Sequence, residues 1–325
     1  STPIKSSAAS DVYKRQYREG EKFVGTYLCK QKQILKTKAG KTYYSLTLQD
    51  KTGTADGKIW ELNNGIANFE PMDYIHCEGM VTSFQGNLQM NISRVRISDE
   101  GEYDPADYVP CTNKDVGEMF SRILKYVASV QNKYLRKILE MYFVENKEFV
   151  DAFKKHSAAK SVHHGFMGGL LEHTLSVTDM CQYFAEHYPM IHRDLLITAA
   201  LFHDMGKIQE ISDFPMNDYT DDGQLLGHIY IGARCMENAA AQIPNFPPKL
   251  KNELVHCILA HHGKMEFGSP KVPAIMEAMA LHMADNADAK LQTLTEVFTQ
   301  AGDNMGWLGF NLSLIHISEP TRLDV

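Results

Sequence analysis

Hydrophobic residues recur along this chain with two different periods, and the change falls between residues 98 and 113. Before it, segments rich in aromatic and β-branched residues follow one another: FVGTYLCKQKQIL, TYYSLTLQD, DGKIWEL, YIHCEGMVTSF and NLQMNISRVRI. Turn signals separate them at Ala39-Gly40, Lys51-Thr52-Gly53 and Gln85-Gly86-Asn87, a pattern that predicts strands joined by short turns. Five short strands in about 80 residues predict a compact β-barrel, because a parallel α/β sheet needs crossover helices and none intervene.

Residues 99–111, DEGEYDPADYVPC, read as an acidic connector punctuated by Pro105 and Pro110. After Asn113 the apolar spacing becomes helical, with Val116, Met119, Phe120, Ile123, Leu124 and Val127 on one face, then Leu135, Ile138, Leu139 and Tyr142 on the next. Further helices are expected within 172–187, 192–204, 225–240, 249–261 and 272–294, with prolines marking breaks or starts. The expected organisation is a flexible start over 1–20, a β-barrel over 21–98, a linker over 99–112 and an all-helical domain over 113–310. The end, NLSLIHISEPTRLDV at 311–325, resembles translated adapter or vector sequence; it is read as a non-native or unstructured tail and set aside.

The 325 residues, 44% of them hydrophobic, can support a substantial core in each domain. Glycine and proline, 22 and 12 residues, are too few for a collagen-like or broadly disordered chain. No apolar run is long enough to cross a bilayer as a helix, and six scattered cysteines without CxxC spacing suit a reduced compartment; a cytoplasmic protein is the expectation. The net charge of −7 hides an asymmetry: residues 1–98 carry 14 Lys and Arg against 9 Asp and Glu, a net of +5, which leaves −12 on the rest. A nucleic-acid partner for the front end is therefore compatible with an acidic whole, although ordinary variation in surface charge gives the same figures.

Of the 14 histidines, 12 lie between His156 and His282. The informative set is His173 in LLEHTLSV, His203-Asp204 in LFHDMGK, His228 in LLGHIYIG, His261-His262 in LAHHGK and Asp285 in LHMADNAD. Each interrupts an apolar helical stretch, and burying such groups is costly unless they find partners. Imidazole with carboxylate favours a transition metal such as manganese, iron or zinc over calcium, with a buried polar network as the alternative. Neighbours on a helix point about 100° apart, so His203 and Asp204 can serve adjacent positions, Asp204 bridging two ions. His173 and Asp285 can close one sphere, and His228 with the His261-His262 pair the other.

The ordered set His173, His203-Asp204 and Asp285 resembles the His…His-Asp…Asp pattern of HD-domain metal-dependent phosphohydrolases, and His228 with His261-His262 resembles their two-metal branch. Together with the β domain in front, HHGFMGGLLEHTLSV and LFHDMGK resemble more narrowly the YhaM-type 3′→5′ exoribonucleases, over about residues 20–310. That resemblance implies an N-terminal OB-fold, a C-terminal all-helical HD domain, dependence on a divalent metal and removal of nucleotides from RNA 3′ ends, with single-stranded DNA as a further substrate. Manganese is the expected ion, at two per site, with iron, zinc, cobalt and nickel as alternatives. The ligand set is then His173, His203, Asp204, His228, His261, His262 and Asp285, one member of the histidine pair being available for substrate instead.

Hydrolysis of a phosphodiester needs an activated water and neutralisation of added negative charge, which two ions can supply. Lys207 follows Asp204 by three positions and can bind the scissile phosphate or protonate the leaving group, though a helix-end surface lysine has the same spacing. His163 and His164 are a second candidate, contacting substrate or supporting the ligands, or only packing. On the OB domain, Lys30, Lys32, Lys36, Lys38, Lys41 and Lys58 lie near Tyr43, Tyr44, Trp60 and Phe84 in sequence, and Arg94 and Arg96 share a strand face. Cations with aromatic platforms suit single-stranded nucleic acid, yet alternation forbids Tyr43 and Tyr44 the same side. A homo-oligomer is compatible with the sequence. Two other functions remain open: an HD phosphohydrolase for a nucleotide or cyclic dinucleotide, and a non-enzymatic nucleic-acid-binding protein with a structural metal.

Overall fold

The computed structural model describes residues 17–51, 53–84, 86–160 and 164–301. Thr52 and Gln85 in two of the expected turns, His163 and the 311–325 tail lie outside the described residues. The chain divides between Pro110 and Cys111 into two compact units.

The first unit is a closed barrel of five strands, β1 (Lys22–Lys36), β2 (Thr42–Asp50), β3 (Gly53–Ile59), β4 (Tyr74–Phe84) and β5 (Asn87–Ile97), ordered β1-β2-β3-β5-β4. The long β1 pairs with β4 through its first half and with β2 through its second, and its register shifts between Cys29 and Gln31 where it changes partner. A short parallel pairing of β3 with β5 closes the ring, so backbone groups at both sheet edges find partners. This is an OB-fold-like barrel. Alternation fills its interior with Phe23, Tyr27, Cys29, Leu46, Leu48, Ile59, Ile75, Cys77, Val81, Met90 and Ile92. The β3 strand lies at 53–59 rather than along DGKIWEL, because Gly53 pairs directly with Asp50 after the turn and Trp60 has already left the ladder. Residues 17–20 and the acidic segment also belong to this unit: the Tyr17 hydroxyl lies 2.9 Å from that of Tyr27, and Tyr103 stacks on Tyr74 at 4.0 Å.

The second unit is helical: α1 (Val116–Ser129), α2 (Lys133–Glu140), α3 (Lys147–Lys155), α4 (Gly169–His187), α5 (Arg193–Phe202), α6 (Lys207–Glu210), α7 (Asp221–Ala241), α8 (Pro248–Ala260) and α9 (Met276–Ala301). Side chains cap three of the helix starts: Asp115 accepts from the Glu118 N–H, Asn146 from that of Phe149 and Thr220 from that of Gly223. Residues Leu195 to Phe202 of α5 are all buried, as for a helix enclosed on every side, and α4, α8 and α9 pack around it. Helix α9 starts at Met276, within the expected 272–294, three positions after Pro273. One expectation shifts. The His203-Asp204 and His261-His262 pairs lie just past the ends of α5 and α8, not within them.

Candidate active site

Placing each pair at a helix end gives its first histidine a fixed tautomer. The last carbonyls of a helix lack intrahelical donors. Nδ1–H of His203 donates to the Ala200 carbonyl (2.8 Å), and Nδ1–H of His261 donates to that of Ile258 (2.7 Å). Each Nε2 is thereby left as a lone pair facing inward. The two helix C-termini also bring partial negative charge to this point, which favours a cation.

The other rings are held in the same sense. His173 on α4 has its Nδ1 2.7 Å from Asp288 of α9, His228 on α7 has its Nδ1 2.9 Å from Glu210, and His262 bonds the Phe267 carbonyl at 2.9 Å. Helix α7 breaks at Gly227, whose φ of 71° only glycine adopts freely, and the break turns His228 inward. Gly206 lets the turn after Asp204 press against that break: a Cβ there would stand 2.1 Å from the His228 carbonyl oxygen.

Asp204 is central. Its Oδ2 lies 3.3 Å from His173 Nε2 and 3.4 Å from His203 Nε2, while its Oδ1 lies 3.5 Å from His228 Nε2 and 3.7 Å from His261 Nε2. The carboxylate thus faces two groups, His173 with His203 on one side and His228 with His261 and His262 on the other, and each group could hold a metal ion. Asp285 joins the first, 3.2 Å from His173 Nε2. Lys207 Nζ approaches Asp204 Oδ2 at 3.0 Å. Among the described residues, three buried polar atoms at this point find no hydrogen-bond partner: Asp204 Oδ1, His228 Nε2 and His261 Nε2. Orphans of this kind are uncommon in a folded protein, and a lone-pair acceptor set converging on one point suits a divalent cation.

The electrostatics differ between the two groups. Burial works against charge on His261 and His262, holding both below the usual histidine range and leaving neutral imidazoles. Burial also opposes ionisation of Asp204, but Lys207 and His203 outweigh it and hold the carboxyl well below its usual range. On His173 burial is outweighed by bonds to Asp204, Asp285 and Asp288, which raise its pKa well above normal. The site opens into a cleft of about 220 Å³ that Lys207, Tyr219, Tyr230, Phe267 and His282 also line.

The structure brings the seven histidines and aspartates of the expected ligand set, and Lys207, to one place. His164 lies behind them, its Nε2 3.0 Å from Asp288. Sequence reasoning missed Asp288, Glu210 and His282. The first two sit three positions after Asp285 and after Lys207, one helical turn along the same face, which is the signal that could have found them.

On the barrel the expected contacts separate. Lys36, Lys38 and Lys41 are exposed around the β1–β2 turn, and Lys30 is exposed further down β1. Tyr43 and Trp60 stack on the surface at 4.5 Å, whereas Tyr44 turns against Phe69 and the core. Lys32 is not brought to this surface: its side chain is 6% exposed, its ammonium donates to the Phe69 carbonyl, and it lies over the rings of Tyr44 and Phe69. Lys58 is held by Asp56 and Ser45. A bulge at Ser93 shifts the phase of β5, so Arg94 and Arg96 both face outward, where they pair with Glu78 and Glu102. Phe84 is exposed at the end of β4.

Residues 170–290 match the HD domain family model, so the helical unit carries an HD domain. It is 32% identical to the 3′-5′ exoribonuclease YhaM of Geobacillus sp. (strain WCH70), covering 78% of each chain, and 32% identical to that of Bacillus subtilis (strain 168), covering 78% of this chain and 81% of that one. With YhaM of Listeria innocua the identity is 33%, over 79% and 82%. The chain belongs to the YhaM family. The barrel also has a likeness to the second OB-fold domain of replication protein A from Methanococcus maripaludis, 18% identical with a TM-score of 0.21, over 26% of this chain and 91% of that one. Among the described residues, no helix is long and apolar enough to cross a membrane.

Proposed function

We propose that this protein is a metal-dependent 3′→5′ exonuclease of single-stranded RNA, active also on single-stranded DNA, in the cytoplasm. The observation that carries the reading is that Asp204 lies between two histidine groups, its Oδ1 facing His228 Nε2 and His261 Nε2, all three buried without a hydrogen-bond partner among the described residues. His173, His203, Asp204 and Asp285 would hold one divalent ion, and His228, His261, His262 and the other oxygen of Asp204 a second, with manganese as the ion. Such ions activate water near neutral pH and neutralise charge on a phosphoryl oxygen. Lys207, on the cleft wall, binds a non-bridging oxygen of the scissile phosphate, and Asp204 fixes the direction of its ammonium. The named activity of the relatives supports a 3′ end as substrate.

The barrel over 21–98 serves as the strand-binding domain and the helical domain over 113–310 as the hydrolase. Lys30, Lys36, Lys38 and Lys41 attract the phosphate backbone and the Tyr43–Trp60 pair offers bases a stacking surface. The test is a manganese-dependent assay on RNA and DNA strands labelled separately at each end. Stepwise loss of the 3′ label with a ladder of 5′-labelled products is expected. Inertness towards every strand, with turnover of a small nucleotide or cyclic dinucleotide, would overturn the reading.

A further inference from the structure

The two histidine groups are built alike behind their inward-facing atoms. Each contains one ring held by a helix-end carbonyl, His203 or His261, and one held by a carboxylate, His173 or His228. The carboxylates differ from the carbonyls in carrying full negative charge, which makes the imidazole a stronger donor to a cation as well as orienting it. They are also unlike each other in their supports.

Asp288 is buried and saturated. Its Oδ2 accepts from His173 Nδ1 (2.7 Å) and from His164 Nε2 (3.0 Å), and its Oδ1 accepts from the Ser176 hydroxyl. His164 is itself pinned, at a φ of 63° uncommon for a residue with a side chain, and its N–H donates to Glu296 at 3.2 Å. Glu210 works from the opposite side. One oxygen, Oε1, accepts both the backbone N–H and the Nδ1–H of His228, each at 2.9 Å, so backbone and ring are fixed together. The backbone N–H is available because the helix breaks at Gly227.

We propose that Asp288 and Glu210 are positioning residues that set the affinities of the two metal positions separately, Asp288 through His173 and Glu210 through His228. The inference rests on the two-ion reading above. His164, whose motif the hydrolytic chemistry does not otherwise use, acts by holding Asp288.

The test is titration of manganese alone into the full-length chain, followed by calorimetry and by the electron spin resonance of the bound ion. Asp288→Asn and Glu210→Gln keep the shape of each side chain and remove its charge. The unaltered chain should show two binding steps. Each variant should weaken a different step, by about 10- to 100-fold, and the double variant should weaken both. His173→Asn and His228→Asn mark which step is which. Where Asp288→Asn lowers the folded fraction, Ser176→Ala takes its place and should weaken the His173 step alone. Two normal steps insensitive to these changes, or both variants weakening the same step, would overturn the inference while leaving the two-ion reading intact. An unaltered chain that binds fewer than two ions would overturn both.

Discussion

Among the described residues, the barrel buries Ser98 and nearly all of the Lys32 side chain, whereas the helical unit buries His156, His164, His173, His203, His228 and His261 with Asp204, Glu210 and Asp288. The barrel satisfies its backbone in a closed ladder and fills its interior with mainly apolar groups, with no cluster of histidines and carboxylates among its described core residues. Its functional surface must lie outside, where solvent screens each charge. The helical unit does the reverse, surrounding a desolvated polar cluster with apolar helices, where each interaction is stronger and each unpaired atom more costly. One unit can bind weakly at many points, and the other can act strongly at one.

The contrast can be broken most sharply at Asp204. Asp204→Ala removes the carboxylate that faces both histidine groups, and the rate of 3′ trimming of a labelled strand should fall by roughly 10³-fold, the equivalent of several kcal/mol of charge stabilisation. The barrel should still bind the strand. Next in size is a cavity in the barrel: Leu48 is fully buried, and Leu48→Ala should cost about 2–5 kcal/mol in thermal or denaturant unfolding. Manganese binding by the helical unit should survive it, and loss of binding would show that the two units do not act independently.

Gly206→Ala probes the close approach inside the site. The new Cβ would stand 2.1 Å from the His228 carbonyl oxygen, so the α7 break must shift; about 1–3 kcal/mol of stability should be lost, with weaker manganese binding. A melting curve unchanged from the parent would contradict the packing. The smallest effect is expected on the barrel surface. Reversing Lys36 and Lys38 to Glu should weaken single-strand affinity and flatten its dependence on log salt by roughly 1.4, with little change in hydrolysis of a mononucleotide analogue.

The same contrast explains what could be read from the sequence. The seven ligand candidates stood out because a histidine or aspartate within LFHDMGK or LLEHTLSV is conspicuous against apolar neighbours. The five strands were legible from alternation, although Trp60 drew β3 too far along the chain. Asp288 and Glu210 were harder to read: their spacing from Asp285 and Lys207 marks a position on the same face, but a single acid on a helix is ordinary until its partner ring, 115 or 18 residues away, is brought beside it. Lys32 read as a surface cation for a related reason: the carbonyl and ring of Phe69 that capture it lie 37 residues on. The bulge at Ser93 turned Arg94 and Arg96 outward but also set them against Glu78 and Glu102, pairings that no strand pattern announces.

In the proposed site one carboxylate, Asp204, joins two metal positions. Elemental analysis of the protein after equilibration with manganese and removal of free ion tests it directly. Two ions per unaltered chain are expected, with loss of both from the Asp204→Ala protein at the same free concentration and the fold retained. Two ions still bound to the folded variant would contradict it.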